Sequence, residues 1–222
     1  YEEDLVGVKF SSSLASLGSC CFEMCRNLRD VELPSSLTTL NDRCFNGCSS
    51  LESLDIPASV TSLGNMCFCD CSSLKSVILP STVTSLGDAC FLRCSNISEI
   101  TIPASVTTLG NDCFGSCSKL QRVEIPSSVT SLGRSCFWCC SSLTEVVIPS
   151  SVTSLEDQTF YDCSNLTNVE IPSSVTSLGS NCFQGCVRLR NLVIPSSVTS
   201  LGSECFLWCQ SLESIKIPLG VE

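Results

Sequence analysis

The chain has nine prolines, at Pro34, Pro57, Pro80, Pro103, Pro126, Pro149, Pro172, Pro195 and Pro218, each 23 residues after the last. A fixed period in this range marks a solenoid, whose coils stack only on their neighbours, so the array is one domain at any length. Residues 171–193 give the phrase in full: Ile-Pro-Ser-Ser-Val-Thr-Ser-Leu-Gly-Ser-Asn-Cys-Phe-Gln-Gly-Cys-Val-Arg-Leu-Arg-Asn-Leu-Val. From Ser11 it runs nine times without insertion or deletion, so the repeats are assigned to residues 11–218. Residues 1–10 read as an N-terminal edge segment. Residues 219–222 read as the start of a further, truncated coil, with a longer natural chain as the expectation.

Stacking the copies sorts each coil into parts. Leu54-Asp55-Ile56 alternates in and out, as a half-buried strand does. One such strand per coil builds a parallel sheet at ~4.8 Å spacing, so nine coils span about 43 Å. Pro57 ends the strand because it cannot donate to the ladder. Val60 and Leu63 point inward from a second short strand. Gly64 follows, in a column that is glycine in seven of nine copies, with Asn41 and Glu156 the exceptions. Gly and Asn suit a left-handed turn. The next column, Ser19, Asp42, Asn65, Asp88, Asn111, Arg134, Asp157, Ser180 and Ser203, is rich in helix N-caps. A short helical turn carrying Cys-Phe-x-x-Cys is therefore expected, with Cys67, Phe68 and Cys71 inward.

These elements, Leu-x-x-Leu-x-Ile-Pro, Val-x-x-Leu-Gly and Phe-x-x-Cys, resemble the BspA-like, or Treponema pallidum-type, leucine-rich repeats. The resemblance covers nearly the whole chain. It implies a leucine-rich-repeat solenoid of nine 23-residue coils, with a parallel β-sheet on the concave face and short strands and helical turns on the convex side. One departure is consistent: the small residue before Phe is Cys in eight of nine copies. The family resembles surface proteins of host-associated bacteria and mucosal protists, linked to adhesion. That implies a cell-surface or secreted location and a host-surface protein as partner.

Net charge is −10. It disfavours nucleic acid and anionic membranes, which need a basic surface, and favours a basic protein partner. The apolar runs are too short to insert in a membrane. There is no histidine, so the commonest general base and metal ligand is missing. No nucleophile, base and orienting group converge. The expectation is a non-enzymatic protein-binding module without cofactor or metal. The alternative is a cytoplasmic scaffold with a reduced cysteine core.

Twenty cysteines need an account. Most fall in two columns, one from Cys21 to Cys205 with Thr159 replacing a member, the other from Cys25 to Cys209. Free cysteine packs as a small hydrophobe, so both columns read as core ladders. Inter-coil disulfides and metal binding are the rival readings. Cys20, Cys69 and Cys139 lie outside the columns and read as surface thiols, open to intermolecular disulfides.

Specific function must sit where the coils differ. On the strand face the candidates are Asp30, Glu32, Asp55, Ile78, Glu99, Glu124, Glu145, Val147, Glu170 and Val193, an acidic stripe broken by aliphatics. On the outer turn Leu92, Trp138, Tyr161, Leu207 and Trp208 form a possible second interface, or else shield the turn. Asn96 and Asn165 open glycosylation sequons.

Overall fold

The computed structural model describes residues 4–221; Tyr1, Glu2, Glu3 and Glu222, parts of the edge segment and of the opening coil, lie outside them. Each coil contributes one three-residue strand and one two-residue strand. The three-residue strands are β1 (Gly7–Lys9), β3 (Asp30–Glu32), β5 (Ser53–Asp55), β7 (Ser76–Ile78), β9 (Glu99–Thr101), β11 (Arg122–Glu124), β13 (Glu145–Val147), β15 (Asn168–Glu170) and β17 (Asn191–Val193). The two-residue strands are β2 (Ser16–Leu17), β4 (Thr39–Leu40), β6 (Ser62–Leu63), β8 (Ser85–Leu86), β10 (Thr108–Leu109), β12 (Ser131–Leu132), β14 (Ser154–Leu155), β16 (Ser177–Leu178) and β18 (Ser200–Leu201). All pairing is parallel and in register at 23 residues, as in Val123 against Val146. Val193 continues the ladder through a single bridge to Lys216. In the edge segment, β1 pairs with β3, and Phe10 packs edge-on against Phe22.

The interior is apolar and closely covered. Leu54, Ile56, Val60, Leu63, Cys67, Phe68, Cys71 and Leu74 are all buried, and every central coil repeats the set. Phe22 to Phe206 form one continuous stack, with ring centroids 5.4 to 5.9 Å apart from ring to ring. One coil's apolar rung is therefore covered only by the next, and the core is continuous.

The Cys-Phe-x-x-Cys segment departs from expectation: it is not a helical turn. Two residues per coil hold positive φ, as Met66 (54°) and Asp70 (57°) do. This alternation turns successive amides in different directions. Met66, Phe68 and Asp70 donate across the coil boundary to Asp88, Cys90 and Leu92, while Cys69 and Cys71 donate within the turn to Met66 and Phe68. A helix would use those amides internally and leave the stacked turns unconnected. Each left-handed non-glycine residue costs on the order of 1 kcal/mol, offset here by a third inter-coil ladder.

Two further columns have roles other than those expected. The glycines after Leu63 and its equivalents do not adopt left-handed φ; they permit close approach. A Cβ on Gly64 would lie 2.5 Å from the Asp42 amide nitrogen, and one on Gly110 2.5 Å from that of Asp88. The expected N-cap residues cap the next coil instead. Asp42 Oδ1 accepts from the Asn65 amide (2.7 Å), Asn65 Oδ1 from Asp88 (2.8 Å) and Asp88 Oδ1 from Asn111 (2.8 Å).

The ladders are interrupted at three joints. The three-residue strands separate between β3 and β5 and between β7 and β9. The two-residue strands form a six-stranded sheet, β2 to β12, and a separate three-stranded sheet, β14 to β18. At that break Glu156 stands in the glycine column, Arg134 in the Asp/Asn column and Thr159 in the cysteine column. The other face stays paired, since β13 and β15 remain in register.

Candidate functional site

The strand face is built by the alternation within each three-residue strand. The middle residue enters the core and the flanking two point out, so β11, β13, β15 and β17 all show an exposed–buried–exposed pattern. Stacking then places outward residues in two files. One holds Asp30, Ser53, Ser76, Glu99, Arg122, Glu145, Asn168 and Asn191. The other holds Glu32, Asp55, Ile78, Thr101, Glu124, Val147, Glu170 and Val193. The chosen strand-face residues, Asp30, Glu32, Asp55, Ile78, Glu99, Glu124, Glu145, Val147, Glu170 and Val193, are all exposed.

Two features raise part of this face above a solvated surface. Ile78, Val147 and Val193 are 73%, 48% and 78% exposed, although each lies on a rigid strand. Around Val147 the acids are unpaired. Lys9 neutralises Glu32 at 2.7 Å and Lys75 neutralises Glu52 at 2.6 Å. Among the described residues no ion pair reaches Glu124, Glu145 or Glu170. Glu124 and Glu170 are the register neighbours of Val147 on either side, and Glu145 lies across the same strand. Beside them a hollow of about 410 Å³ is lined by Asn168, Val169, Glu170, Ile171, Asn191 and Val193.

The outer turn divides. Leu207 and Trp208 are exposed. Leu92, Trp138 and Tyr161 are half-buried. The Trp138 indole folds across Gly115 toward Leu92, so that a Cβ on Gly115 would strike the indole nitrogen. That nitrogen is buried facing the Asp112 carboxyl, too poorly aligned for a well-formed hydrogen bond. These three side chains fill the turn. The sequon asparagines are half-buried, and each amide is engaged: Asn96 Nδ2 donates to the Ser72 carbonyl (2.8 Å) and Asn165 Nδ2 to that of Ser141 (2.6 Å).

All twenty cysteines are free. Cys20 is exposed and Cys139 half-buried, but Cys69 is buried rather than on the surface. Its thiol lies 3.4 Å from Asp70 Oδ2, and burial pushes its pKa up to about 12. Cys21 departs in the opposite sense, being exposed, because among the described residues no coil stacks on its outer side. Both main columns are otherwise buried, apart from half-buried Cys209. Burial also holds Cys44, Cys48 and Cys117 at about 12.

Two polar networks lie in the constant columns, outside the variable positions that the sequence singles out. From Cys48 to Cys209 each second-column thiol donates to a phenylalanine carbonyl of the preceding coil, as Cys71 to Phe45 (3.1 Å) and Cys140 to Phe114 (3.1 Å). The hydroxyl two residues after each proline from Pro34 to Pro195 likewise donates to a Leu or Val carbonyl of the preceding coil: Ser59 to Leu37, Ser105 to Val83 and Ser151 to Val129, at 2.5 to 2.6 Å. The available signal was the constancy of Ser or Thr at that one position, while the residue before it alternates between Ser and Ala. Among the described residues no cluster of His, Cys, Asp or Glu is arranged to hold a metal, and no helix is long and apolar enough to cross a membrane.

A parallel solenoid with a leucine ladder, a phenylalanine spine and one exposed strand face defines a leucine-rich-repeat protein. The chain belongs to the BspA-type leucine-rich-repeat family, whose pattern matches residues 1–121 and 85–213 in six copies. A Treponema pallidum leucine-rich repeat protein is similar at 30% identity, over 72% of this chain and 78% of that one, with TM-score 0.68. A leucine rich cell surface protein of Faecalibacterium prausnitzii is 25% identical over 91% of this chain and 69% of its own, TM-score 0.53. The pneumococcal vaccine antigen PcpA shares the fold, with 22% identity over 98% of this chain and 62% of that chain, TM-score 0.66. A search of curated proteins finds no match.

Proposed function

We propose that the chain is a non-enzymatic protein-binding module of a cell-surface or secreted adhesion protein, and that it binds through the strand face. One observation carries this reading: exposed Ile78, Val147 and Val193 sit on paired strands, and among the described residues no ion pair engages Glu124, Glu145 or Glu170 around Val147. Aliphatics held on ordered strands offer a ligand apolar contact, and the acids between them favour a basic, partly apolar protein ligand. The surface location draws on the relative described as a cell surface protein. The exposed pair Leu207 and Trp208 offers a smaller, second contact.

A second reading, a cytoplasmic scaffold, is favoured by the twenty free cysteines, since reducing compartments preserve thiols. Two experiments separate and test these readings. Protease treatment of intact producing cells removes the repeat if it is on the surface and spares it if it is inside. Capture from host-surface extracts by the wild type should be lost with Ile78→Asp combined with Val147→Asp, and capture unchanged by that double variant rejects the strand face.

A further inference from the structure

Neighbouring coils are joined along the three-residue strands, along the two-residue strands and along the cysteine-containing turn. At the joint between β12 and β14 the second of these is open. One joint earlier, the Thr130 amide donates to the Thr107 carbonyl (3.0 Å) and that of Gly133 to Leu109 (2.9 Å). One joint later, Thr176 donates to Thr153 (2.9 Å) and Gly179 to Leu155 (2.7 Å). Among the described residues neither bond has a counterpart from Thr153 or Glu156 back to Thr130 or Leu132. The side-chain cap is missing as well. Asn111 Oδ1 accepts the Arg134 amide (2.9 Å) and Asp157 Oδ1 that of Ser180 (2.7 Å). Arginine has no acceptor atom to offer Asp157 in turn. Glu156 fills the place of the glycine, and its Oε1 accepts the Ser154 hydroxyl of its own coil (2.8 Å).

The other two connections run through this joint intact. β11 pairs with β13 over three residues. On the turn Ser135, Phe137 and Cys139 donate to Asp157, Thr159 and Tyr161 at 2.7 to 3.0 Å, and Phe137 stacks on Phe160 at 5.7 Å. The Ser151 hydroxyl still reaches the Val129 carbonyl (2.5 Å), at the corner beside the strand face. The interruptions between β3 and β5 and between β7 and β9 are of another kind. There the two-residue strands stay paired, and the caps from Asp42 to Asn65 and from Asp88 to Asn111 are kept. Stability in a solenoid is a sum over nearest-neighbour interfaces, so local opening concentrates where an interface has lost bonds.

We propose that the joint between β12 and β14 is a hinge. The coils part on the side of the two-residue strands and pivot about the strand face, whose ladder from β9 to β17 is unbroken. Opening on that side tightens the curvature of the strand face between Glu124 and Val147. The inference concerns motion, and it holds whichever face binds a ligand.

The spread of distances between two spin labels tests it. The labels are carried on a genetically encoded keto amino acid, because the twenty free thiols preclude cysteine labelling. Ser81 with Ser173 spans the hinge, and Ser35 with Ser127 does not. All four serines are exposed and occupy one column of the repeat, each pair four coils apart, or about 19 Å. The control pair crosses both interruptions of the strand face. The pair across the hinge should give the broader distribution, with a tail to longer distances. Glu156→Gly should remove that excess breadth and leave the control pair unchanged. Equal breadth in the two pairs, excess breadth confined to shorter distances, or excess breadth that survives Glu156→Gly overturns the proposal.

Discussion

The Cys117 thiol donates to the carbonyl of Phe91 in the preceding coil at 3.2 Å, and that carbonyl also accepts the Cys94 amide at 3.1 Å. Both oxygen lone pairs are thereby used in an interior where Phe91, Cys94 and Cys117 are fully buried. The cysteine is a packing residue and a donor together. Cys117→Ala deletes the donor and leaves a small void, and should cost about 1–3 kcal/mol. Urea unfolding monitored by circular dichroism measures this. Loss of less than a few tenths of a kcal/mol would show the thiol to be mere filler.

The buried thiols also set an alkaline limit on stability. Burial raises Cys44, Cys48 and Cys117 from 9.0 to about 12. The folded state disfavours the thiolate, so the contribution is complete below pH 9, where the unfolded thiol is also protonated. It is lost as pH rises from about 9 toward about 12. Each such thiol lowers the unfolding free energy by about 1.4 kcal/mol per pH unit within that window. Denaturation midpoints should be flat across neutral pH and fall steeply above pH 9. A native-state thiol titration should find Cys20 and Cys21 reactive first, as the exposed pair.

Glu156 should be the cause of the break between β12 and β14. From Gly64 onward the glycines of this column have room for hydrogen alone. Asn41 is accommodated there with β2 and β4 still paired because its Nδ2 donates to the Leu17 carbonyl, a bond that the carboxylate of Glu156 has no N–H to make. Glu156→Gly should restore the ladder, visible as slower hydrogen exchange at the amides of residues 153–156. In the opposite direction, Gly133→Ala should lower the melting temperature by several degrees. Its Cβ would enter the backbone of Gly110 and Asn111, and the strain is of the overpacking kind, about 1–3 kcal/mol.

The repeat made the fold legible because each coil's apolar residues have only the next coil to cover them. Ile56, Val60, Leu63, Phe68 and Leu74 could be placed from one column of text. The cysteine-containing turn could not. Cys at i and i+4 with Asp or Asn ahead is equally the pattern of a capped helix and of a turn whose amides alternate between its own coil and the next. What decides is the need of Phe68 and Asp70 to bond the following coil, and that need lies in the stacking. For the same reason the Gly64 column read as a turn when it is a close approach. The strand-face files follow from alternation alone, so Glu124, Val147 and Glu170 were accessible. Missing from the text was which acids are neutralised: Lys9 reaches Glu32 and Lys75 reaches Glu52 only through inter-coil register. The folding of Trp138 over Gly115 depends likewise on a neighbour 23 residues away.

Hydroxyl-radical footprinting of the chain bound to a protein captured from host surfaces tests the central claim most directly. Oxidation of Ile78, Val147 and Val193 should fall on binding, while Trp208 and Leu207 change little. Protection of Trp208 and Leu207 with Val147 and Val193 left as reactive as in the free chain would place the ligand on the outer turn and contradict the account.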